Sequence, residues 1–500
     1  MADERKVSLT RLAVSGAFAG VFGKVANAVV GVVTVGILAR LLTPIEYGDF
    51  GFVAICLAIS QLAPQAVSNV IVGKKDITPA DVSGGFTLTI VLSVFFAIVL
   101  ALLRKDISTF FSTDISAQIL FAAIVLPALS VTAFLDGLLS KEFEFRKNAS
   151  FDFVSVLTGQ SIVAITLAYY GFGVWALLCG LASSGLIRMA LQVSTGSIRH
   201  LVFGPISSEL VSKTWWIFLS GIGNYLGRNA DNIIVGKLLG GASLGLYQRA
   251  FNLMMRPIQL FSGSITGVFY PIMSSIQGDE ARLQSAYLRG VVVASFIGMP
   301  ISLFMSLNGK EIIEIIFGPN WSAVAVPFQI LALCSYFRLG YRMSDISILS
   351  LGEVKIAGAM QGVYAAMIVA GSLVGLQWGL EGVATGVGIA LGLYFMISVV
   401  CAKVLLKLPI RHFLRAHNVG LIVVLFAIPL NFLVQKFYLE YLGSFWMLAL
   451  SSIILLLSYV LTLAARRFLI QDSVGLTFLN EAVNRVSVYY LNRQMKRNLD

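Results

Sequence analysis

The feature that most constrains this chain is a set of basic side chains inside segments that are otherwise apolar enough to span a membrane. The set comprises Lys24, Arg228, Arg249, Arg256, Arg338 and Arg342. Each of them would cost about 2.5 to 3.5 kcal/mol at a lipid-facing helix centre. We therefore expect all of them to face an interior. So much positive charge predicts a solvated cavity that receives an anion.

Composition places the chain among polytopic membrane proteins. Of its 500 residues, 57% are hydrophobic and 12% are charged, and the mean hydropathy is +0.86. Soluble domains use only about 45 to 50% apolar residues. The formal charge of +11 follows the membrane topology, so it predicts no nucleic-acid partner.

The apolar segments predict an all-α fold with about fourteen transmembrane helices, because about 20 largely apolar residues suffice for one span. They cover residues 13–42, 47–69, 81–103, 116–139, 150–170, 173–192, 215–239, 245–274, 286–307, 322–350, 355–377, 382–402, 417–436 and 444–465. Most Lys and Arg residues outside the spans lie on the side of the N-terminus. The positive-inside rule then places both termini in the cytoplasm.

Two motifs recur along the chain. Arg40-Leu41-Leu42 with Tyr47-Gly48 returns as Lys237-Leu238-Leu239 with Leu244-Gly245, about 197 positions later. Gly173-Val174 returns as Gly382-Val383, about 209 positions later. Since each copy holds an even number of spans, the pattern predicts a parallel repeat with a central cavity between two bundles.

The repeat predicts two pseudo-symmetric six-helix lobes and two added helices. We expect the lobes at residues 1–205 and 206–415, and the added helices within 416–466. Residues 467–500 have the apolar spacing of an amphipathic helix on the inner membrane surface, in contact with membrane lipids. A helix packed against the cytoplasmic loops fits that spacing equally well.

Carboxylates accompany the basic residues on two of the spans. Arg228 and Asp231 are one helical turn apart, and Arg338, Arg342 and Asp345 repeat that arrangement. Such a group is either an ion pair that makes the charge tolerable or a coupling site that opens when an anion or proton arrives. For Arg342 the alternative is a position at the cytoplasmic end of its helix.

The other basic residues have different surroundings in the sequence. Arg249 and Arg256 are seven positions apart and so share one helix face, and Pro257 can expose backbone carbonyls there. For Arg249 the alternative is a side chain that extends to the membrane interface. Lys24 is alone in the first span, and we consider Asp136 as its partner or as a proton carrier.

No pattern of catalytic or metal-binding residues is present in the sequence. The four cysteines all lie in apolar segments, and the three histidines lie in cytoplasmic loops or at their edges. There is no nucleotide-binding loop, nucleophile elbow or paired carboxylate in a long outer loop. We therefore predict a protein that is not an enzyme and has no metal or other cofactor.

Several motifs have the order and spacing of one family of bacterial transporters. They are Ala39-Arg40-Leu41-Leu42-Thr43-Pro44 with Tyr47-Gly48, Phe143-Glu144-Phe145-Arg146, Gly171 to Ala176, Asn224-Tyr225, Asp231 to Lys237, Leu244 to Tyr247, Pro271, and Phe317-Gly318-Pro319-Asn320-Trp321. Over nearly the whole chain the sequence resembles the Wzx-like oligosaccharide flippases of the MOP exporter superfamily. The similarity is strongest to the colanic-acid and exopolysaccharide exporter group.

The resemblance implies export of undecaprenyl-pyrophosphate-linked oligosaccharide repeat units across the bacterial inner membrane, for exopolysaccharide or lipopolysaccharide synthesis. It implies cationic cavity residues on the first, seventh and eighth helices, at Lys24, Arg228, Arg249 and Arg256. Expected partners are a polysaccharide polymerase and a chain-length regulator. One alternative is a multidrug or metabolite antiporter of the same superfamily, which would need carboxylates in its cavity to bind organic cations. The other is a membrane enzyme that acts on lipid-linked sugars.

Overall fold

All regular secondary structure is helical in the part of the chain that the structure describes. The computed structural model describes residues 26–142, 144–194, 202–438 and 443–469. Its first helices are α1 (Ala26–Leu41), α2 (Pro44–Gly73), α3 (Pro79–Phe111), α4 (Ser116–Lys141), α5 (Arg146–Tyr169), α6 (Val174–Ser194), α7 (residues 208–239) and α8 (residues 241–275). Residues Val156–Val163 of α5 are π-helical.

The remaining helices complete the all-α fold. They are α9 (Glu280–Leu307), α10 (Gly309–Ile316), a 3₁₀ segment (Pro319–Val324), α11 (Ala325–Leu333), α12 (Ser335–Ser350), α13 (Val354–Gly375), α14 (Gly379–Leu405), α15 (Ile410–Ala416), α16 (Asn418–Tyr438) and α17 (Ser444–Leu469). The sequence did not predict the short helices α10 and α15. Lys24 and nearly all of the predicted amphipathic tail lie outside the described residues.

Ten helical segments of the described chain are long and apolar enough to cross a membrane. One of them, Val354–Leu405, joins α13 and α14. The kinked stretch Ser208–Ser275 does not belong to the ten, and α1 as described is a shorter apolar helix. The all-α multi-pass membrane fold is thus confirmed, and the count of fourteen spans stays a prediction.

Local sequence fixes where the first long helices begin. The Thr43 hydroxyl accepts a hydrogen bond from the backbone N–H of Glu46, and the Thr78 hydroxyl accepts one from that of Asp81. In return, the Glu46 and Asp81 carboxylates accept hydrogen bonds from the backbone N–H groups of Thr43 and Thr78. Both helices also have proline in the first turn, where its missing N–H costs nothing. The Thr-Pro-x-acid pattern therefore defines the starts of α2 and α3.

The chain forms two compact units. The first comprises residues Met1–Arg249 and Ile316–Ala323, and the second comprises Ala250–Ile315 and Val324–Asp500. The repeat had placed the join between lobes at residues 205 and 206. The division of the chain into 1–205, 206–415, 416–466 and 467–500 remains a prediction.

A close backbone crossing within the first unit joins the two copies of the repeat. A Cβ atom added to Gly48 would lie 1.9 Å from the carbonyl oxygen of Gly241. A Cβ atom added to Gly245 would lie 2.1 Å from the carbonyl oxygen of Pro44. Gly48 and Gly245 are equivalent in the repeat, as are Pro44 and Gly241, so the contact is reciprocal. Reciprocal contacts of this kind are what a twofold relationship produces.

Two basic residues of the repeat reinforce this crossing. Arg40 donates to the carbonyl oxygen of Ile316 at 3.0 Å, close to the C-terminal end of α10. Its counterpart Lys237 donates to the carbonyl oxygen of Phe110, close to the C-terminal end of α3. Cations are favourable at helix C-termini, where backbone carbonyls lack helical partners. The recurring Arg/Lys-Leu-Leu motif therefore has a structural role in holding the repeats together.

We expect Gly48→Ala to lower the melting temperature of the detergent-purified protein. The added methyl group must displace the backbone of Gly241, and overpacking of this kind costs about 1–3 kcal/mol. Gly73→Ala in the same helix is the control, because no atom lies within 4 Å of its added Cβ. The control should be neutral or slightly stabilising. Equal melting temperatures for both variants would contradict the crossing.

Candidate functional site

The predicted cationic residues occupy two kinds of environment in the structure. Arg228 on α7 and Arg256 on α8 are exposed, whereas Arg249 and Arg338 are 8% and 5% exposed. Arg342 is partly buried. The sequence did not distinguish these environments, because spacing along a helix does not show what packs against it.

The exposed arginines lie on polar faces of their helices. On α7, the exposed residues Ser220, Asn224 and Arg228 recur every four positions and so share one face. On α8, exposed Asn252 lies one helical turn before Arg256. Each of these two exposed faces carries a guanidinium group.

Arg249 is held in aromatic packing, whereas Arg256, seven positions along the chain, is exposed. Its guanidinium carbon lies 4.2 Å from the centre of the Tyr47 ring, a cation–π contact. Tyr47 also meets the Trp321 ring edge-on at 5.3 Å between centroids. The Trp321 indole donates to the carbonyl oxygen of Ala39 at 2.6 Å. The Phe-Gly-Pro-Asn-Trp motif thus anchors the beginning of α2.

Asp231 is buried and accepts several hydrogen bonds. It is 1% exposed, and it accepts a hydrogen bond from the Tyr247 hydroxyl at 3.0 Å. The backbone and side-chain amides of Asn232 also donate to it. The family motif around Asp231-Asn232 and Leu244 to Tyr247 therefore forms a local network in the first unit. An ion pair of Asp231 with Arg228 stays a prediction.

In the second unit, Asp345 lies within a cluster of tyrosines. The Tyr394 hydroxyl and the Gln361 amide each approach a carboxylate oxygen of Asp345 at 3.4 Å. The Tyr394 ring stacks edge-on against Tyr341 and Tyr364. Asp345 is thus approached by neutral hydrogen-bond donors, and the Arg342 guanidinium is close enough to act on it electrostatically.

Arg338 lies elsewhere in the second unit, against an aromatic ring. Its guanidinium carbon is 5.2 Å from the centre of the Phe251 ring. At 5% exposure it is nearly inaccessible to solvent. Cation–π packing of this kind lowers the cost of a buried charge. A direct role for Arg338 in substrate binding stays a prediction.

Asp136 pairs with a residue that sequence reasoning did not select. Arg188 Nη2 lies 2.8 Å from Asp136 Oδ1, and the Gln192 amide donates to the same oxygen at 2.7 Å. Arg188 also forms an ion pair with Asp152 and donates to Asn148 Oδ1 at 2.9 Å. Lys24, the partner considered from the sequence, lies outside the described residues. Arg188 comes from α6, and only the packing of α4, α5 and α6 brings these groups together.

Within the described ranges, no three His, Cys, Asp or Glu side chains cluster in a way that could hold a metal ion. The four cysteines are partly buried and free.

A sequence profile described as polysaccharide biosynthesis protein matches residues 37–326. The chain belongs to this family. Membership of the polysaccharide biosynthesis family confirms the relationship predicted from the motifs. The matched region contains the repeat crossing and both exposed arginines.

Two curated relatives support the assignment to the polysaccharide biosynthesis family. An uncharacterized membrane protein in the cps region of Klebsiella pneumoniae is 26% identical over 62% of this chain and 65% of its own length. The lipopolysaccharide biosynthesis protein WzxC of Escherichia coli K12 is 23% identical over 66% of this chain and 68% of its own length. This polysaccharide biosynthesis family member therefore spans about two thirds of each relative.

Among solved structures, the fold is similar to that of the lipid II flippase MurJ in an inward closed conformation. The TM-score is 0.71 at 14% sequence identity, with 91% of this chain and 99% of the MurJ chain covered. At this identity the similarity establishes the fold only. It confirms the predicted all-α architecture of this polysaccharide biosynthesis family member.

We expect Arg188→Gln to destabilise the first unit by about 1–3 kcal/mol, because two carboxylates lose their shared cation in a partly buried site. Melting temperature in detergent is the measurement. Lys213→Gln is the matched control, since its pair with Glu209 is largely exposed, at 55% and 61%, and should contribute little. Adding Asp136→Asn to Arg188→Gln should recover part of the loss. No recovery in the double variant would contradict the pairing.

Proposed function

We propose that this protein is a flippase that translocates undecaprenyl-pyrophosphate-linked oligosaccharide repeat units across the cytoplasmic membrane. The proposal combines membership of the polysaccharide biosynthesis family with the placement of two arginines. Arg228 and Arg256 are exposed on polar faces of α7 and α8. That exposure is the observation that carries the proposal.

An anionic headgroup accounts for exposed arginines at this depth. A guanidinium group binds phosphate oxygens through paired, charge-assisted hydrogen bonds. A low-dielectric surrounding strengthens such an attraction well beyond its value in bulk water. A pyrophosphate linked to sugars is therefore a suitable ligand, whereas the lipid chain of the same molecule can stay in the bilayer.

Translocation requires alternating access, in which the binding region opens first to one side of the membrane and then to the other. The crossing at Gly48 and Gly241 is a place where such a change can occur within the first unit. The closest approach there is between backbones. The Arg40 and Lys237 hydrogen bonds to Ile316 and Phe110 would be released in the same step.

A multidrug or metabolite antiporter is less compatible with these residues. A transporter of organic cations needs exposed carboxylates, by charge complementarity. Between residues 215 and 275 the only carboxylate is Asp231, and it is buried. An enzyme can be distinguished from an exporter by analysing the lipid-linked sugar after transport. An exporter leaves the covalent structure of that sugar unchanged, whereas an enzyme alters it.

The same proposal places the protein in the inner membrane with both termini cytoplasmic, as the positive-inside distribution predicts. A polymerase and a chain-length regulator would act on the exported repeat units. No nucleotide-binding motif was found in the sequence. We propose an ion gradient, the membrane potential or downstream polymerisation as the energy source.

We expect Arg256→Ala or Arg228→Ala to lower translocation by at least about tenfold, the cost of losing a hydrogen bond to a charged group. The assay uses proteoliposomes containing an undecaprenyl-pyrophosphate-linked oligosaccharide. Appearance of the sugar in the outer leaflet is detected with a membrane-impermeant glycosidase. Arg256→Lys should retain part of the activity because the charge remains.

The matched control is Arg282→Ala, which removes an exposed cation near the start of α9 that is 74% accessible. It should translocate at the wild-type rate. Wild-type rates for both Arg228→Ala and Arg256→Ala, at equal protein levels, would exclude the proposed phosphate-binding role. A change in the covalent structure of the recovered lipid-linked sugar would instead indicate an enzyme.

A further inference from the structure

We propose that one face of α8, running from Asn252 to Tyr270, binds the sugar portion of the substrate. In this arrangement Arg256 holds the pyrophosphate. The inference rests on the proposed function and adds the part of the protein that distinguishes one glycan from another. The face comprises Asn252, Arg256, Gln259, Gly263, Thr266 and Tyr270, and it is called the polar face of α8 below.

The spacing of these residues places them in one row. Successive members are four, three, four, three and four positions apart, and all of them are exposed. Intervals of three and four keep side chains on the same side of an α-helix. From Arg256 to Tyr270 the row extends about 21 Å at 1.5 Å per residue. That length accommodates several linked sugar rings.

The chemistry of the row suits a neutral, hydroxyl-rich ligand. Gln259 offers an amide that both donates and accepts, and Thr266 and Tyr270 offer hydroxyl groups. None of these side chains hydrogen-bonds to another residue within the described ranges. The Tyr270 ring, 43% exposed, also offers an apolar surface to the carbon face of a sugar. Gly263 leaves open space, since no atom lies within 4 Å of a Cβ added there.

The distribution of charge along the row separates its two roles. Arg256 is its single charged residue, so a phosphate has one preferred position. The positions after it toward residue 270 are neutral, which suits sugar hydroxyl groups. A row of polar groups facing hydrocarbon would be costly. Exposed apolar residues of α8, namely Leu260, Val268 and Ile272, lie outside the row. The helix thus offers separate surfaces to a polar headgroup and to lipid.

The test compares two probes on the purified full chain in lipid nanodiscs. One is undecaprenyl pyrophosphate without sugar, and the other is an undecaprenyl-pyrophosphate-linked tetrasaccharide. We expect Gln259→Ala with Thr266→Ala to weaken tetrasaccharide binding by about 25-fold, or about fivefold for each lost hydrogen-bonding side chain. Binding of the sugar-free probe should not change. Val268→Ala, outside the row on the same helix, is the control and should bind both probes like the wild type.

The possible outcomes separate this inference from the proposed function. Equal weakening of both probes in the double variant would overturn the sugar assignment, as would unchanged binding of both. If Arg256→Ala binds neither probe, phosphate binding at Arg256 is still supported, even where the sugar assignment is overturned. Wild-type protein that binds neither probe would overturn the proposed function and this inference together. Melting temperatures of all variants are measured alongside, and Gln259→Leu with Thr266→Val, which keeps the side-chain size but removes the hydrogen-bonding groups, replaces the double variant if that variant fails to fold.

Discussion

The structure depends on one constraint: a charged side chain at membrane depth must be paired, packed against an aromatic ring, or hydrated. All three solutions occur in the described chain. Arg188 is paired with Asp136 and Asp152. Arg249 and Arg338 lie against aromatic rings and are almost fully buried. Arg228 and Arg256 remain exposed on polar helix faces. An exposed guanidinium group can be reached by a ligand, so exposure separates the buried cations from the candidate binding residues.

The internal repeat supplies the second organising principle. Equivalent residues of the two copies make reciprocal contacts at Pro44, Gly48, Gly241 and Gly245, where backbones touch without intervening side chains. Arg40 and its counterpart Lys237 bind carbonyl groups near the ends of α10 and α3. This close backbone approach lies within the first unit.

Sequence reasoning predicted the local role of some residues, but it did not predict which distant residues surround others. The Thr-Pro-x-acid pattern defines the starts of α2 and α3, because capping is a local interaction. Arg249 and Arg256 were expected on one helix face, because they are seven positions apart. Arg249 is instead covered by Tyr47, which is some two hundred positions away in the chain. Arg188 was missed as a partner of Asp136 because the two residues lie on different helices, and no local spacing links them.

By itself, the sequence determined that the protein is an all-α membrane protein, that motifs recur about 197 positions apart, and that its predicted spans carry more positive than negative charge. These properties follow from hydropathy, periodicity and motif order, which are local or additive along the chain. The tertiary structure decided which cations are buried and which are exposed, and it aligned the row of polar residues along α8 as an accessible face. Exposure depends on which distant segments pack against a side chain, and a linear pattern does not contain that information.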